Sequence, residues 1–432
     1  MFAAREYRIQ ECENVRDLLR NTLRYAYSSD SSKSVYIECL ARLRLIEDAF
    51  GILEDDEEDE LQELSNQLSE LSELIGRVER SRIEEFSWPF ALALQNLAVK
   101  ICADHKDPTS PPPLFFISAD DELTSYRIIT EQGKAGLISS PLFSIIFPRS
   151  LKNFVLLHPI LGHELGHAAI SAPQHTLLLE QNVLRPLVAK SPLNDLIRFK
   201  KWLDRVNSNL DLDLRTEASL SWPEELYCDL FGLLLMGPSY VGATNSLLRP
   251  FKTRSISESH PPSATRFWVI AHAVNQLGWR EFYAKHKKLK QPANKYFDSL
   301  TNFANQVPRK FRLLNTSQIE IALNELQLFL QTVPSALFEA PDPELVATMV
   351  SRLLTTCPPV ASEVSSKLTI RNRIVDFRSI LFAGWLTWMS TDAKNPVPTF
   401  INLNRLCQRG ILQQSAVDKW SAFKEKNNDV RP

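Results

Sequence analysis

The chain is 432 residues long, more than an average domain of about 100–200 residues, and with 44% apolar and 23% charged residues its composition excludes extensive disorder. Its 49 Lys and Arg nearly balance 51 Asp and Glu, and the formal charge of −2 gives no global attraction to nucleic acid or an anionic membrane, so neither is expected as a partner. Six scattered cysteines (Cys12, Cys39, Cys102, Cys228, Cys357, Cys407) form no CxxC pair, which argues against a disulfide framework or a cysteine metal site and for a reducing, cytoplasmic compartment.

In chain order, the N-terminal sequence MFAAREYRIQECENVRDLL puts charges where a secretory leader needs its apolar stretch, so no leader is expected. From Asn14 to about Ala103 the pattern is helical. Within it Leu61, Leu64, Leu68, Leu71, Ile75 and Val78 form a heptad seam too short for an intermolecular coiled coil, and an intramolecular helical hairpin is expected. The acidic run Glu54–Glu60 before it suits a solvated helix start. Asp107–Pro113 cannot continue a helix and marks a linker. Four short runs rich in β-branched and aromatic residues follow: Leu114–Ser118, Tyr126–Glu131, Gly136–Ser139 and Phe143–Phe147. They predict three or four strands of a small sheet.

Helical patterning resumes at Pro159 and continues to the end, interrupted by prolines. Its most apolar stretch, Leu226–Ala243, carries Asp229 and breaks at Gly237-Pro238, and no run reaches the roughly 18–20 residues that cross a bilayer. No membrane partner is expected. The basic cluster Lys285–Lys290 reads as a solvated helix end.

Pro159 suits a first helical turn, and after it come His163, Glu164 and His167, spelling HExxH. Residues four apart on a helix share a face, so the two imidazoles can converge on one metal ion while Glu164 stands beside it as a general base. A hydrolytic zinc centre takes a third protein ligand and keeps a fourth position open. Ile170 and Pro173 exclude the metzincin arrangement, and His175 lies beyond the expected helix end at Pro173. The segment Ser221–Gly232 offers better candidates. Pro223 can begin a helix, and Glu225 and Asp229 lie four apart, one to complete a His₂Glu site and the other to accept the free N–H of a ligand imidazole. Asp229 as ligand is the alternative, with Glu224 behind it.

HELGH, then Glu225-x-x-Cys228-Asp229-x-x-Gly232, then Ser259-His260-Pro261-Pro262 and Arg266 together resemble the gluzincin peptidases of the HtpX and CAAX-prenyl-protease type over roughly residues 143–270. Cys228 replaces the usual Ala, and the membrane spans of those enzymes are missing. The resemblance implies that one zinc ion per chain is held by His163, His167 and Glu225, with Glu164 as base and Asp229 orienting a histidine. It also implies His260 as a donor to the oxyanion and Arg266 bracing a carboxylate; alternatively His260 sits in a proline-fixed turn and Arg266 on a helix surface. Tyr227 and Tyr240 are weaker candidates for the donor role. The run Leu142–Phe147 stands where zincins have an edge strand on which substrate pairs, and a fully buried strand is the competing reading.

The expectation is therefore an α+β, predominantly helical protein. Residues 1–105 form a helical region with the heptad hairpin, 106–290 a zincin-like core of small sheet, HExxH helix and Glu-bearing helix, and 291–432 a helical C-terminal region. The function expected is zinc-dependent hydrolysis of protein or peptide substrates. Alternatives are a helical scaffold retaining a zincin core, or a peptidase restrained by its helical flanks until a regulatory protein partner or signal releases it.

Overall fold

The computed structural model describes residues 2–27, 31–53, 57–82, 87–102, 114–120, 127–131, 142–171, 212–248, 260–307, 309, 312, 314–360, 376–391 and 398–428. Among these it holds fourteen α-helices and three strands, so the expected predominance of helix and the small sheet are both present. Two compact units divide the chain, Met1–Lys152 and Asn153–Pro432.

In the first unit, α1 (Phe2–Thr22), α2 (Ser31–Ile52) and α3 (Glu58–Arg80) pack pairwise, with α4 (Trp88–Cys102) beside the first strand. The heptad residues Leu61, Leu68, Leu71, Ile75 and Val78 are buried, with Leu64 packed at the edge, against Val15, Leu19, Cys39, Leu43 and Ile46. The seam thus closes within the chain, as expected, and it does so through three helices. Apolar residues at spacings of three and four put one stripe toward the shared core.

Strands β1 (Leu114–Asp120), β2 (Arg127–Glu131) and β3 (Leu142–Pro148) lie in the order β1-β3-β2. β1 runs parallel to β3 from Leu114 opposite Leu142 to Asp120 opposite Pro148, and β2 runs antiparallel to it with Arg127 opposite Ile146. β3 is therefore the central strand. Its two edges are already paired, and Phe143, Ser144, Ile145, Ile146 and Phe147 are all buried, which overturns the edge-strand reading and upholds the buried one. The expected strand Gly136–Ser139 lies outside the described residues.

The second unit opens with a 3₁₀ turn, His158–Ile160, whose Pro159 leads into α5 (Leu161–Ser171). α6 (Leu212–Met236) crosses α5 and ends where Gly237 takes a left-handed φ of 64°; Pro238 then begins α7 (Pro238–Leu248). A glycine just past one helix and a proline at the start of the next make this break legible from sequence. Pro223, expected to begin a helix, instead lies inside α6. The buried run from Glu225 to Met236 supplies packing that overrides the local cost of one missing N–H. The remaining helices are α8 (Ser263–Leu277), α9 (Trp279–Ala284), α10 (Lys290–Asn305), α11 (Thr316–Gln331), α12 (Pro343–Leu354), α13 (Phe377–Ser390) and α14 (Phe400–Asn428).

These units do not follow the expected boundaries near 105 and 290. The sheet groups with the N-terminal helices because α2, α3 and α4 all pack on β1, while the C-terminal helices group with α5 and α6. The ties to the C-terminal helices are specific. Trp385 Nε1 donates to Leu156 O at 3.0 Å, Leu156 N donates to Asn404 Oδ1 at 2.8 Å, and the buried Arg378 donates through Nη1 to Leu235 O and Ala336 O, each at 2.7 Å. No helix among the described residues is long and apolar enough to cross a membrane.

Candidate metal centre

Two helices build the site, and small residues let them approach. A Cβ added at Gly166 of α5 would stand 3.0 Å from Cys228 Cα, and one added at Gly232 of α6 would stand 2.8 Å from the backbone nitrogen of His163. Cys228 and Gly232, four apart on α6, form the floor on which α5 rests. At this distance short carboxylates on α6 reach the imidazoles of α5.

His163 and His167 point the same way, with ring centroids 4.9 Å apart and Nε2 atoms 3.3 Å apart. Glu225 spans both: Oε2 lies 3.2 Å from His163 Nε2, and Oε1 lies 3.3 Å from His167 Nε2. These three residues present donor atoms within 4.8 Å of one another. A tetrahedral zinc with bonds of about 2.0–2.1 Å sets its donors about 3.3 Å apart, close to the separations found. Glu225 Oε2 is moreover buried without accepting a hydrogen bond from any of the described residues, a costly arrangement that a cation relieves. The residues present therefore fit a zinc ion.

Behind His163 lies Asp229, fully buried, with Oδ1 3.1 Å from His163 Nδ1. Asp229 accepts three further hydrogen bonds, from Tyr240 Oη at 2.7 Å, Arg266 Nε at 2.8 Å and Arg266 Nη2 at 2.6 Å. Burial works against its charge, but the Arg266 guanidinium outweighs burial and holds the carboxyl well below the usual range. Arg266 is buried in the first turn of α8, not on a helix surface. His167 has a partner whose spacing suggests no more than a remote ligand candidate: Glu224 Oε1 lies 2.9 Å from His167 Nδ1. The adjacent acidic pair Glu224-Glu225 was the available signal.

On the rim, His260 is mostly exposed with Nε2 3.7 Å from Glu225 Oε1. Its pKa is lowered, since partial burial outweighs the pull of Glu225. Glu164 is partly buried beside His163; burial raises its pKa, opposed by the two histidines. Burial works against the charge of Glu225, but the neighbouring His163 and His167 outweigh it and hold the carboxyl well below the usual range. Tyr240 is committed to Asp229, and the Tyr227 phenol is fully buried with no hydrogen-bond partner among the described residues, so neither is placed as an oxyanion donor. Burial pushes the Cys228 thiol up to about 12, with His167 beside it pulling the other way. His175 lies outside the described residues.

Comparison with protein-family models, with curated proteins and with solved structures finds no match for this chain.

Proposed function

We propose that the chain is a zinc-dependent peptidase with a gluzincin-type centre, in which His163, His167 and Glu225 hold one metal ion. The single observation that carries this is the convergence of His163, His167 and Glu225, whose donor atoms lie within 4.8 Å of one another, around a buried carboxylate whose Oε2 has no hydrogen bond among the described residues. The order of HExxH, Glu225, Asp229, His260 and Arg266 supports the resemblance to the HtpX and CAAX-prenyl-protease type. The six free cysteines support a reducing, cytoplasmic setting.

When bound there, zinc supplies Lewis acidity that polarises the scissile carbonyl and makes water a nucleophile near neutral pH. Glu164, its basicity raised by burial, accepts the proton of the attacking water and returns it to the leaving amine. His260, standing at the rim, donates to the oxyanion as the carbonyl becomes tetrahedral. Asp229 keeps the proton of His163 on Nδ1, so that Nε2 faces Glu225. Arg266 and Tyr240 keep Asp229 ionised and fixed.

Elemental analysis of the purified protein should find about one zinc per chain, as a His₂Glu site predicts. Glu164→Gln should keep that zinc and lose cleavage of a peptide library by about two to four powers of ten, the usual worth of a general base. N-terminal labelling in cells expressing the wild type or this variant would name the substrates. A wild type without metal sinks the reading; a wild type with zinc that cleaves nothing favours the scaffold.

A further inference from the structure

The two metal-facing histidines are not held alike. His163 is enclosed, its side chain 4% exposed and its Nδ1 set against the fully buried Asp229. His167 is 25% exposed, and its Nδ1 meets Glu224, itself 40% exposed. An imidazole at the solvent edge keeps rotational freedom unless both of its nitrogens are engaged. On α6, Glu224 and Glu225 are consecutive and leave the helix about 100° apart, so they reach the same ring from different sides. Glu224 Oε1 stands 2.9 Å from Nδ1, and Glu225 Oε1 stands 3.3 Å from Nε2.

We propose that Glu224 is the positioning residue for His167, accepting its Nδ1–H and thereby presenting the Nε2 lone pair to the metal. The proposal rests on the zinc reading above and specifies how the more exposed ligand is kept in place. With it, one helix supplies a metal ligand and the Nδ1 partners of both histidines, Asp229 for His163 and Glu224 for His167. The hydrogen bond fixes the tautomer, and the carboxylate makes the ring a stronger donor. Because Glu224 is near solvent and touches His167 rather than a reacting atom, its loss acts on metal retention before it acts on chemistry.

The test is zinc affinity, measured on metal-free protein by competition with a chromophoric chelator. Glu224→Ala is expected to bind zinc about 10- to 100-fold more weakly than wild type, the usual effect of losing such a partner. Glu224→Gln keeps an acceptor oxygen at the same reach and should stay within a few-fold of wild type. In the zinc-loaded wild type, the His167 Nδ1–H should appear by NMR as a slowly exchanging, hydrogen-bonded proton, which needs no variant to fold. Positioning by this hydrogen bond is overturned if Glu224→Ala binds as tightly as wild type, if Glu224→Gln is as weak as Glu224→Ala, or if that proton exchanges freely. If the wild type takes up no zinc, the function reading fails first and the proposal falls with it.

Discussion

Asp229 illustrates how much one buried carboxylate organises. It receives the phenol of Tyr240, two N–H groups of Arg266 and the Nδ1 of His163, so three elements of the fold meet on two oxygens. Removing one partner of a buried ion pair leaves the other charge uncompensated. Arg266→Leu should therefore destabilise the metal-free protein by about 3–5 kcal/mol in urea unfolding, well beyond a typical surface substitution. The same variant should weaken zinc binding, because His163 loses its fixed orientation. His163→Ala and Glu225→Ala should abolish stoichiometric zinc outright; a variant of either that keeps its zinc contradicts the ligand set. Much of this was legible in the sequence. HExxH and the i, i+4 pair Glu225 and Asp229 carry their geometry in their spacing, since a helix converts four residues into one face. The contact of Glu224 with His167 was not, because spacing alone does not tell which of two adjacent carboxylates meets Nε2 of an imidazole and which meets its Nδ1.

At the scale of elements, the site depends on the closeness of α5 and α6. Gly166 rests on Cys228, and Gly232 lies under the backbone of His163, so neither position has room for a methyl group. Gly232→Ala would bring a Cβ within 2.7 Å of Tyr240 Cε2 and 2.8 Å of His163 N, and the second neighbour is backbone that cannot rotate away. The helices must separate. A cost of about 1–3 kcal/mol in unfolding follows from overpacking, and zinc affinity should drop in parallel, because the carboxylates of α6 no longer reach the rings of α5. Unchanged zinc affinity in a destabilised Gly232→Ala protein would show that the crossing supports the fold without setting the site. Strands and helices were mostly legible at this level: the heptad seam, the β-branched and aromatic runs after residue 113 and the Gly237-Pro238 break all have local causes. The order of the strands was not, since which strand lies in the middle is decided by long-range pairing. For the same reason Phe143–Phe147 was equally readable as an edge or a buried strand.

At the scale of the whole molecule, the C-terminal helices support both site helices. Leu156, just before the turn that starts α5, gives its carbonyl to Trp385 of α13 and its N–H to Asn404 of α14. Leu235, in the last turn of α6, gives its carbonyl to Arg378 of α13, which also binds Ala336 O and Ser335 O and is fixed by Asp376. Helix ends leave carbonyls without partners, and a buried guanidinium that serves the Leu235 carbonyl together with two carbonyls of the turn at 335–336 binds the end of α6 to the C-terminal region. The described helices after residue 290 are on this account part of the body that holds His163, His167 and Glu225, not a detachable flank. A chain ending at residue 290 should then fail to bind zinc and should unfold non-cooperatively, whereas a flank that merely restrains the enzyme would leave an active fragment behind. Arg378→Ala separates the two ideas with less disruption. It strands the buried carbonyls of Leu235 and Ala336, the part-buried carbonyl of Ser335 and the Asp376 carboxylate, so a loss of about 3 kcal/mol or more is expected in urea, together with weaker zinc binding, although Arg378 is not one of the proposed ligands' hydrogen-bond partners. Enhanced peptidase activity in either protein would mean that these helices hold the enzyme back; loss of zinc and of cooperativity together would mean that they hold it up.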